Sequence, residues 1–164
     1  MQTAILIVGM GILAVIAYGD VRTRRIPNVL SLAIAILGLL RTILGHDPVA
    51  MGHTLAAATA IFIAAFLLFW YGGIGGGDTK LVAATALLVG YHDLFSFLFL
   101  MSACGGALAL AMLARDRLRR RRWLPARRER GPLAAPARPT TVPYGVAIAA
   151  AGVVTLILNG PFAR

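Results

Sequence analysis

The chain has 164 residues, of which 59% are hydrophobic and only 13% are charged, and its mean hydropathy is +0.82. This composition excludes an ordinary soluble domain, in which about a quarter of the residues are charged, and a disordered chain, which requires low hydrophobicity. The length allows one domain, 1–164, and the apolar content predicts that this domain lies in a lipid bilayer. The single cysteine, Cys104, excludes an internal disulfide and a cysteine-based metal site.

The apolar stretches predict an all-α bundle of about six transmembrane helices. The first stretch, 2–19, is uncharged, is ended by Asp20 and lacks the positive n-region of a signal peptide, so we expect it to be retained. The other predicted spans are 28–45, 49–77 with a glycine-rich exit, 81–91, 94–114 and 142–160. The fourth span is only about 16 Å long at about 1.5 Å per residue, so it must borrow flanking residues, thin the bilayer or tilt little. Arg41 lies near the far end of the second span, where we expect its side chain to snorkel to the headgroups.

The basic residues predict the orientation of these spans. The loops after the first, third and fifth spans hold three, one and ten of the 16 Lys and Arg residues, leaving Arg41 and Arg164. Six spans place these three loops on one side of the membrane, and short loops rich in Lys and Arg stay in the cytoplasm. We therefore predict that both termini face outward and that the basic loops face the cytoplasm.

The longest basic loop, 115–141, combines an arginine run ending at Trp123 with a proline-rich stretch. Such a run is typical of either a nucleic-acid patch or an anchor for anionic lipids. No interleaved aromatic residues support stacking on bases. We therefore favour an anionic-lipid anchor and linker, and expect no nucleic-acid partner.

Two acidic residues are the candidates for chemistry, because an ionisable residue at membrane depth costs about 2.5 to 3.5 kcal/mol and needs a reason to be there. Asp20 precedes the segment 26–28, Ile-Pro-Asn, in which the proline favours a turn. Asp78 follows the glycine-rich run 72–77, which disfavours a helix and permits close approach by another chain. Both acids lie on the predicted cytoplasmic side.

Two carboxylates within about 3 Å of each other share one proton, so that one takes a proton from water while the other polarises a carbonyl. Asp20 and Asp78 therefore fit an aspartic protease dyad, which needs neither a metal nor a covalent intermediate. In the simpler interpretation each aspartate caps a helix or is solvated. We expect surface or interfacial roles, and no metal site, for the remaining acids and histidines: His46, Asp47, His53, His92, Asp93, Asp116 and Glu129.

Three motifs occur in order along the chain: Asp20-x-Arg22-x-x-x-Ile26-Pro27-Asn28, then Gly75-Gly76-Gly77-Asp78-Thr79-Lys80, then Pro143-Tyr144-Gly145. In these motifs, and over nearly its whole length, the chain resembles the type IV prepilin peptidases, which are integral-membrane aspartic proteases. It is most similar to their short form, associated with Flp (Tad) pilus assembly. The second motif contains the Gly-x-Gly-Asp signature that the family shares with presenilin-like proteases.

The resemblance implies that Asp20 and Asp78 are catalytic and that the protein, in the inner (plasma) membrane, cleaves the basic leaders of prepilins and pseudopilins at the cytoplasmic face. It implies no cofactor. The supporting residues that it suggests around the active site are Arg22, Pro27, Asn28, Gly75, Gly76, Gly77, Lys80, Pro143, Tyr144 and Gly145. The paired Cys-x-x-Cys motifs of the long members are absent, so we do not expect N-methylation of the new pilin terminus.

Two other functions stay open at this point. The dyad would also suit other membrane substrates, such as signal-peptide remnants. A small transporter or structural subunit would use Asp20 and Asp78 to bind a cation or to pair with Arg22 and Lys80. A substrate helix would pack against small residues, and the sequence offers two sets of them: Ala83, Ala84 and Gly90 in the fourth span, and Gly105 and Gly106 in the fifth.

Overall fold

The computed structural model describes residues 1–24, 26–122 and 144–159. These residues form six α-helices and a short 3-10 turn, Tyr91–Asp93, and they contain no strand. The helices are α1 (Gln2–Thr23), α2 (Asn28–Ile43), α3 (Pro48–Trp70), α4 (Gly76–Val89), α5 (Leu94–Arg122) and α6 (Tyr144–Asn159). The predicted all-α bundle is confirmed. The predictions for Pro143, Glu129 and the stretch 123–141 fall outside the described residues, as does the side chain of Asp116.

Helix α4 lies at the centre of the bundle, where it packs against α2, α3 and α6. Most of its 14 residues are buried, and Leu81 and Leu88 are completely covered. A helix that is covered on nearly every side needs no polar face. This explains why the sequence of α4 is mostly apolar and shows no helical periodicity.

Glycines bring the neighbouring helices close to α4. A Cβ atom added at Gly38 of α2 would lie 2.7 Å from the backbone nitrogen of Leu88. A Cβ atom at Gly152 of α6 would lie 2.8 Å from Cγ2 of Thr85. Close approach of backbones at small residues is the usual way in which helices pack inside membranes.

Three helical segments are long and apolar enough to cross a bilayer, namely Gln2–Thr23, Pro48–Trp70 and Tyr91–Arg115. Helices α2 and α6 are apolar but have only 16 residues each in the described part of the chain. A helical membrane protein is therefore confirmed. The count of six spans stays a prediction, because α2, α4 and α6 are each shorter than the roughly 20 residues that a full crossing takes.

Several helix boundaries differ from the prediction. Helix α1 continues four residues past Gly19 and ends where Arg24 takes a left-handed conformation with φ 51°, so Asp20 lies in its last turn. Helix α4 begins at Gly76 rather than at residue 81, so Asp78 lies inside its first turn. Helix α5 runs past residue 114 to Arg122 because arginine is a good helix former. The hydrophobic pattern locates the apolar part of each helix and not its polar ends.

The end of the bundle opposite Asp20 and Asp78 holds Arg41, whose snorkelling to the headgroups stays a prediction. Its half-buried guanidinium donates hydrogen bonds to the carbonyl oxygens of Leu88 and, at 2.7 Å, Val89. These carbonyls end α4 and have no partner within the helix, so Arg41 caps it. At the same end Asp47 caps α3 by accepting from the N–H groups of Val49 and Ala50 at 3.0 and 3.1 Å.

Candidate active site

Asp20 is held by the first turn of α6. Its side chain is only 5% exposed, and its carboxylate Oδ2 accepts a hydrogen bond from the Val146 backbone N–H at 3.2 Å. The N–H groups of a first helical turn have no partner within the helix and lie at the positive end of its dipole. The start of α6 is therefore a favourable binding place for this carboxylate, although the two groups are 126 residues apart in sequence.

Asp78 is the third residue of α4, which begins after Gly75. A Cβ atom added at Gly75 would lie 3.0 Å from Oδ2 of Asp78, so the carboxylate lies close to the residue that precedes the helix. Glycine at position 75 leaves room for the carboxylate there.

The fold brings the two aspartates to the same end of the bundle, because α1 ends and α4 and α6 begin there. Ile26 joins the segments that carry them. Its Cβ atom lies 3.3 Å from the position of a Cβ at Gly77, and its Cδ1 atom 2.9 Å from that at Gly145. Gly77 and Gly145 thus give Ile26 the room to pack between α4 and α6.

An apolar groove begins at Asp78. Its volume is about 450 Å³, and α3, α4, α5 and α6 contribute to its walls. Asp78 is the one carboxylate among its lining residues, which are otherwise mostly aliphatic or small. The lining consists of Ile61, Ala64, Ala65, Leu68, Ile74, Asp78, Val82, Leu98, Met101, Ser102, Gly105, Gly106, Ala109, Tyr144, Ala147 and Ile148. We call this cavity the α3–α5 groove. Asp20 is not part of its lining.

The other predicted site residues divide into two sets. Gly75, Gly76, Gly77, Tyr144 and Gly145 surround the aspartates or the groove, with Gly76 packed against the Phe69 ring. Four predicted residues, Arg22, Pro27, Asn28 and Lys80, lie elsewhere. The Arg22 guanidinium donates to the Tyr18 hydroxyl at 3.1 Å on the exposed face of α1. The Lys80 ammonium donates to Oδ1 of Asn28 at 3.3 Å, beside a second cavity.

This second cavity, of about 540 Å³, lies between α2, α3 and α4, and Lys80 and Asn28 are among its lining residues. Pro27 precedes α2 as its N-cap residue. The predicted pairing of Asp20 and Asp78 with Arg22 and Lys80 is therefore not what the side chains do, because Tyr18 and Asn28 bind these two cations.

Ile26 and Val146 lie at the site but were not among the site residues that the sequence predicted. Ile26 lies within the first motif, so its position was visible although its role was not. Val146 acts through its backbone N–H, which every residue except proline possesses, and no side-chain pattern marks it. In the described ranges, no three His, Cys, Asp or Glu side chains come together as metal ligands do.

The fold and this site define a helical membrane protein with paired carboxylates and an apolar groove at one end of its bundle. The model of the type IV leader peptidase family matches residues 7–110, a range that contains both aspartates. The chain is also similar to the prepilin leader peptidase/N-methyltransferase of Bacillus subtilis (strain 168), with 31% identity over 120 residues. The aligned part is 73% of this chain and 48% of that relative, so the chain spans about half the length of the relative. No solved structure matches it. The chain belongs to the type IV leader peptidase family.

Proposed function

We propose that the protein is a membrane aspartic endopeptidase that removes the N-terminal leader of prepilins and pseudopilins, including those of the Flp type. The observation that carries this proposal is that Asp20 and Asp78 lie at one end of the bundle, where Ile26 packs against both Gly77, next to Asp78, and Gly145, which contacts Asp20. Membership of the type IV leader peptidase family supports it. So does the activity of the Bacillus subtilis relative, a prepilin leader peptidase/N-methyltransferase.

In the proposed mechanism the two carboxylates share one proton. The ionised aspartate accepts a proton from a water molecule, whose oxygen then forms a bond to the carbonyl carbon of the scissile peptide. The protonated aspartate donates a hydrogen bond to the carbonyl oxygen. When the tetrahedral intermediate collapses, the carbon–nitrogen bond breaks and a carboxyl group returns the proton to the leaving amine.

We further propose that the protein lies in the inner (plasma) membrane with its aspartates and basic loops facing the cytoplasm. The bias of Lys and Arg toward the loops at that end of the bundle supports this orientation. The arginines of 115–141 would then meet the anionic headgroups of the cytoplasmic leaflet, at about 1 kcal/mol for each basic residue close to the surface.

The test is co-expression with an Flp-type prepilin, followed on a gel for loss of the leader. The wild type is compared with Asp20→Asn and Asp78→Asn at matched amounts in the membrane. Asp47→Asn is the matched control, because it removes a carboxylate at the opposite end of the bundle and asparagine is an equally good helix cap. We expect cleavage by the wild type and by the control, and none by the other two variants.

Two results would contradict the proposal. Cleavage by either Asp20→Asn or Asp78→Asn would exclude the two-carboxylate mechanism. Failure of the wild type to cleave any prepilin or pseudopilin precursor would exclude the substrate class, and the cation-binding alternative would take its place.

A further inference from the structure

The walls of the α3–α5 groove stand apart. Helices α3 and α5 both contact the 3-10 turn Tyr91–Asp93 at the far end of the bundle, yet they scarcely contact each other. The groove lies in the gap between them, with Val82 of α4 and Ala147 of α6 in its floor. Its lining on α5 runs from Leu98 to Ala109, which is about 17 Å at about 1.5 Å per residue.

The helices on either side of the gap have large apolar surfaces that nothing in the described part of the chain covers. Only 11% of the most apolar window of α3 and 6% of that of α5 is buried. Leu68 of α3, which lines the groove, is 53% exposed, and Phe99 of α5 is 65% exposed. In a bilayer these surfaces face lipid, so an apolar helix that enters the gap from the side never leaves the hydrocarbon region.

We propose that the α3–α5 groove is the docking site for the apolar helix of the precursor substrate, a proposal that rests on the function proposed above. The groove is favoured over the other cavity because Asp78 is one of its lining residues. A helix lying between α3 and α5 places the peptide bond that precedes it beside the Asp78 carboxylate, without a further change of position. Gly106 is exposed and a Cβ added there meets no atom within 4 Å, so it lets the backbone of the guest helix come close to α5. Gly105 is buried against Tyr144 and Ala147 of α6.

The second cavity, between α2, α3 and α4, is the larger of the two at about 540 Å³, so volume alone would favour it. Its lining residues include Ala83 and Ala84, the other set of small residues that the sequence suggested. Neither Asp20 nor Asp78 lines it, and its cation, Lys80, is bonded to Asn28. A helix docked there would have α4 between itself and the Asp78 side of the bundle.

Photo-cross-linking distinguishes the two cavities. The amino acid p-benzoylphenylalanine replaces Leu68 in the α3–α5 groove or Leu32 in the second cavity, each in the Asp78→Asn variant, which keeps the precursor intact. The two leucines are 53% and 61% exposed, so a larger side chain has room at either position. We expect the co-expressed precursor to be cross-linked from position 68 and not from position 32. Cross-linking from position 32 alone, or from neither position, would overturn the proposal.

Obstruction of the groove gives a second test, in which Gly106→Phe is compared with Gly52→Phe. Each glycine lies in a helix with nothing within 4 Å of an added Cβ, and only Gly106 lines the groove. At matched membrane levels we expect Gly106→Phe to lower precursor cleavage at least about tenfold and Gly52→Phe to leave it unchanged. Equal cleavage by the two variants would overturn the groove assignment while leaving the peptidase intact. A wild type that does not cleave would overturn the peptidase itself. If Gly106→Phe does not accumulate, the cross-link decides.

Discussion

Gly145 sits where the segments that carry the two aspartates meet. A Cβ atom there would lie 2.8 Å from Oδ2 of Asp20 and 2.9 Å from Cδ1 of Ile26. Two non-bonded heavy atoms cannot lie this close without a steric clash. Any side chain at position 145 therefore displaces the Asp20 carboxylate, Ile26 or the start of α6. A displacement of about 1 Å at a catalytic group can lower a rate about a hundredfold.

We therefore expect Gly145→Ala to lower precursor cleavage at least about tenfold while the protein still accumulates in the membrane. The control is Gly19→Ala, which adds the same methyl group next to Asp20 in sequence, where no atom lies within 4 Å of the new Cβ. Cleavage is measured on gels at matched protein levels. Unchanged cleavage by Gly145→Ala would show that the contact between α6 and Asp20 does not position the carboxylate.

At the level of single residues, the sequence predicted that Asp20 and Asp78 come to one end of the bundle, as they do in the structure. Their catalytic role stays a prediction. The two residues stood out because placing an acid at membrane depth costs free energy, so an acid found there needs a function or a partner. The backbone groups that lie against the two carboxylates could not be predicted from the sequence. The Val146 N–H that bonds to Asp20, and Gly75 beside the Asp78 carboxylate, are defined by where α6 and α4 begin, and helix starts are poorly marked in apolar sequences.

Helix α4 shows how packing overrides local preference. Gly76 and Gly77 are poor helix formers, and the sequence therefore predicted that the helix begins after them. In the structure both are helical, because Phe69 and Ile26 pack where their side chains would be, with Cβ positions 3.3 Å from the nearest atom in each case. These contacts form only when the helices pack together, so the local sequence cannot predict where α4 begins.

The contact between α2 and α4 gives a prediction about stability. Gly38→Ala places a methyl group 2.7 Å from the backbone nitrogen of Leu88, and a backbone atom inside a packed bundle has little room to move. We expect the variant to be destabilised by about 1 to 3 kcal/mol, the usual cost of overpacking, and its thermal unfolding midpoint in detergent to fall. In the control, Gly52→Ala, the added methyl group meets nothing within 4 Å, and no loss is expected. A midpoint for Gly38→Ala equal to that of the control would contradict the tight contact.

The two ends of the bundle carry different kinds of polar groups. One end holds the two aspartates and the loops that carry most of the basic residues, and the other holds the Arg41 cap and the α3 cap Asp47. The class of fold followed directly from composition, whereas the number of full crossings did not. The helices α2, α4 and α6 are short, and whether a short helix crosses depends on its neighbours and on the local bilayer thickness.

Thiol labelling tests the orientation of the whole chain. In a Cys104→Ser background, which removes the single native cysteine, one new cysteine is introduced as either His92→Cys or Gly131→Cys. We expect a membrane-impermeant reagent applied to spheroplasts to label position 92 at once and position 131 only after the membrane is broken, since basic loops stay inside. The reverse order would place the aspartates and the basic loops on the outer face.

The groove makes the two aspartates chemically unequal, although their side chains are identical. Asp78 lines the α3–α5 groove, whereas Asp20 is 5% exposed and lies against Gly145 at the start of α6. A carbodiimide that dissolves in lipid therefore reaches Asp78 first, and mass spectrometry of the digested protein should find the acylurea adduct there and not on Asp20. An inhibitor that alkylates one carboxylate from within the bilayer would likewise be selective for Asp78.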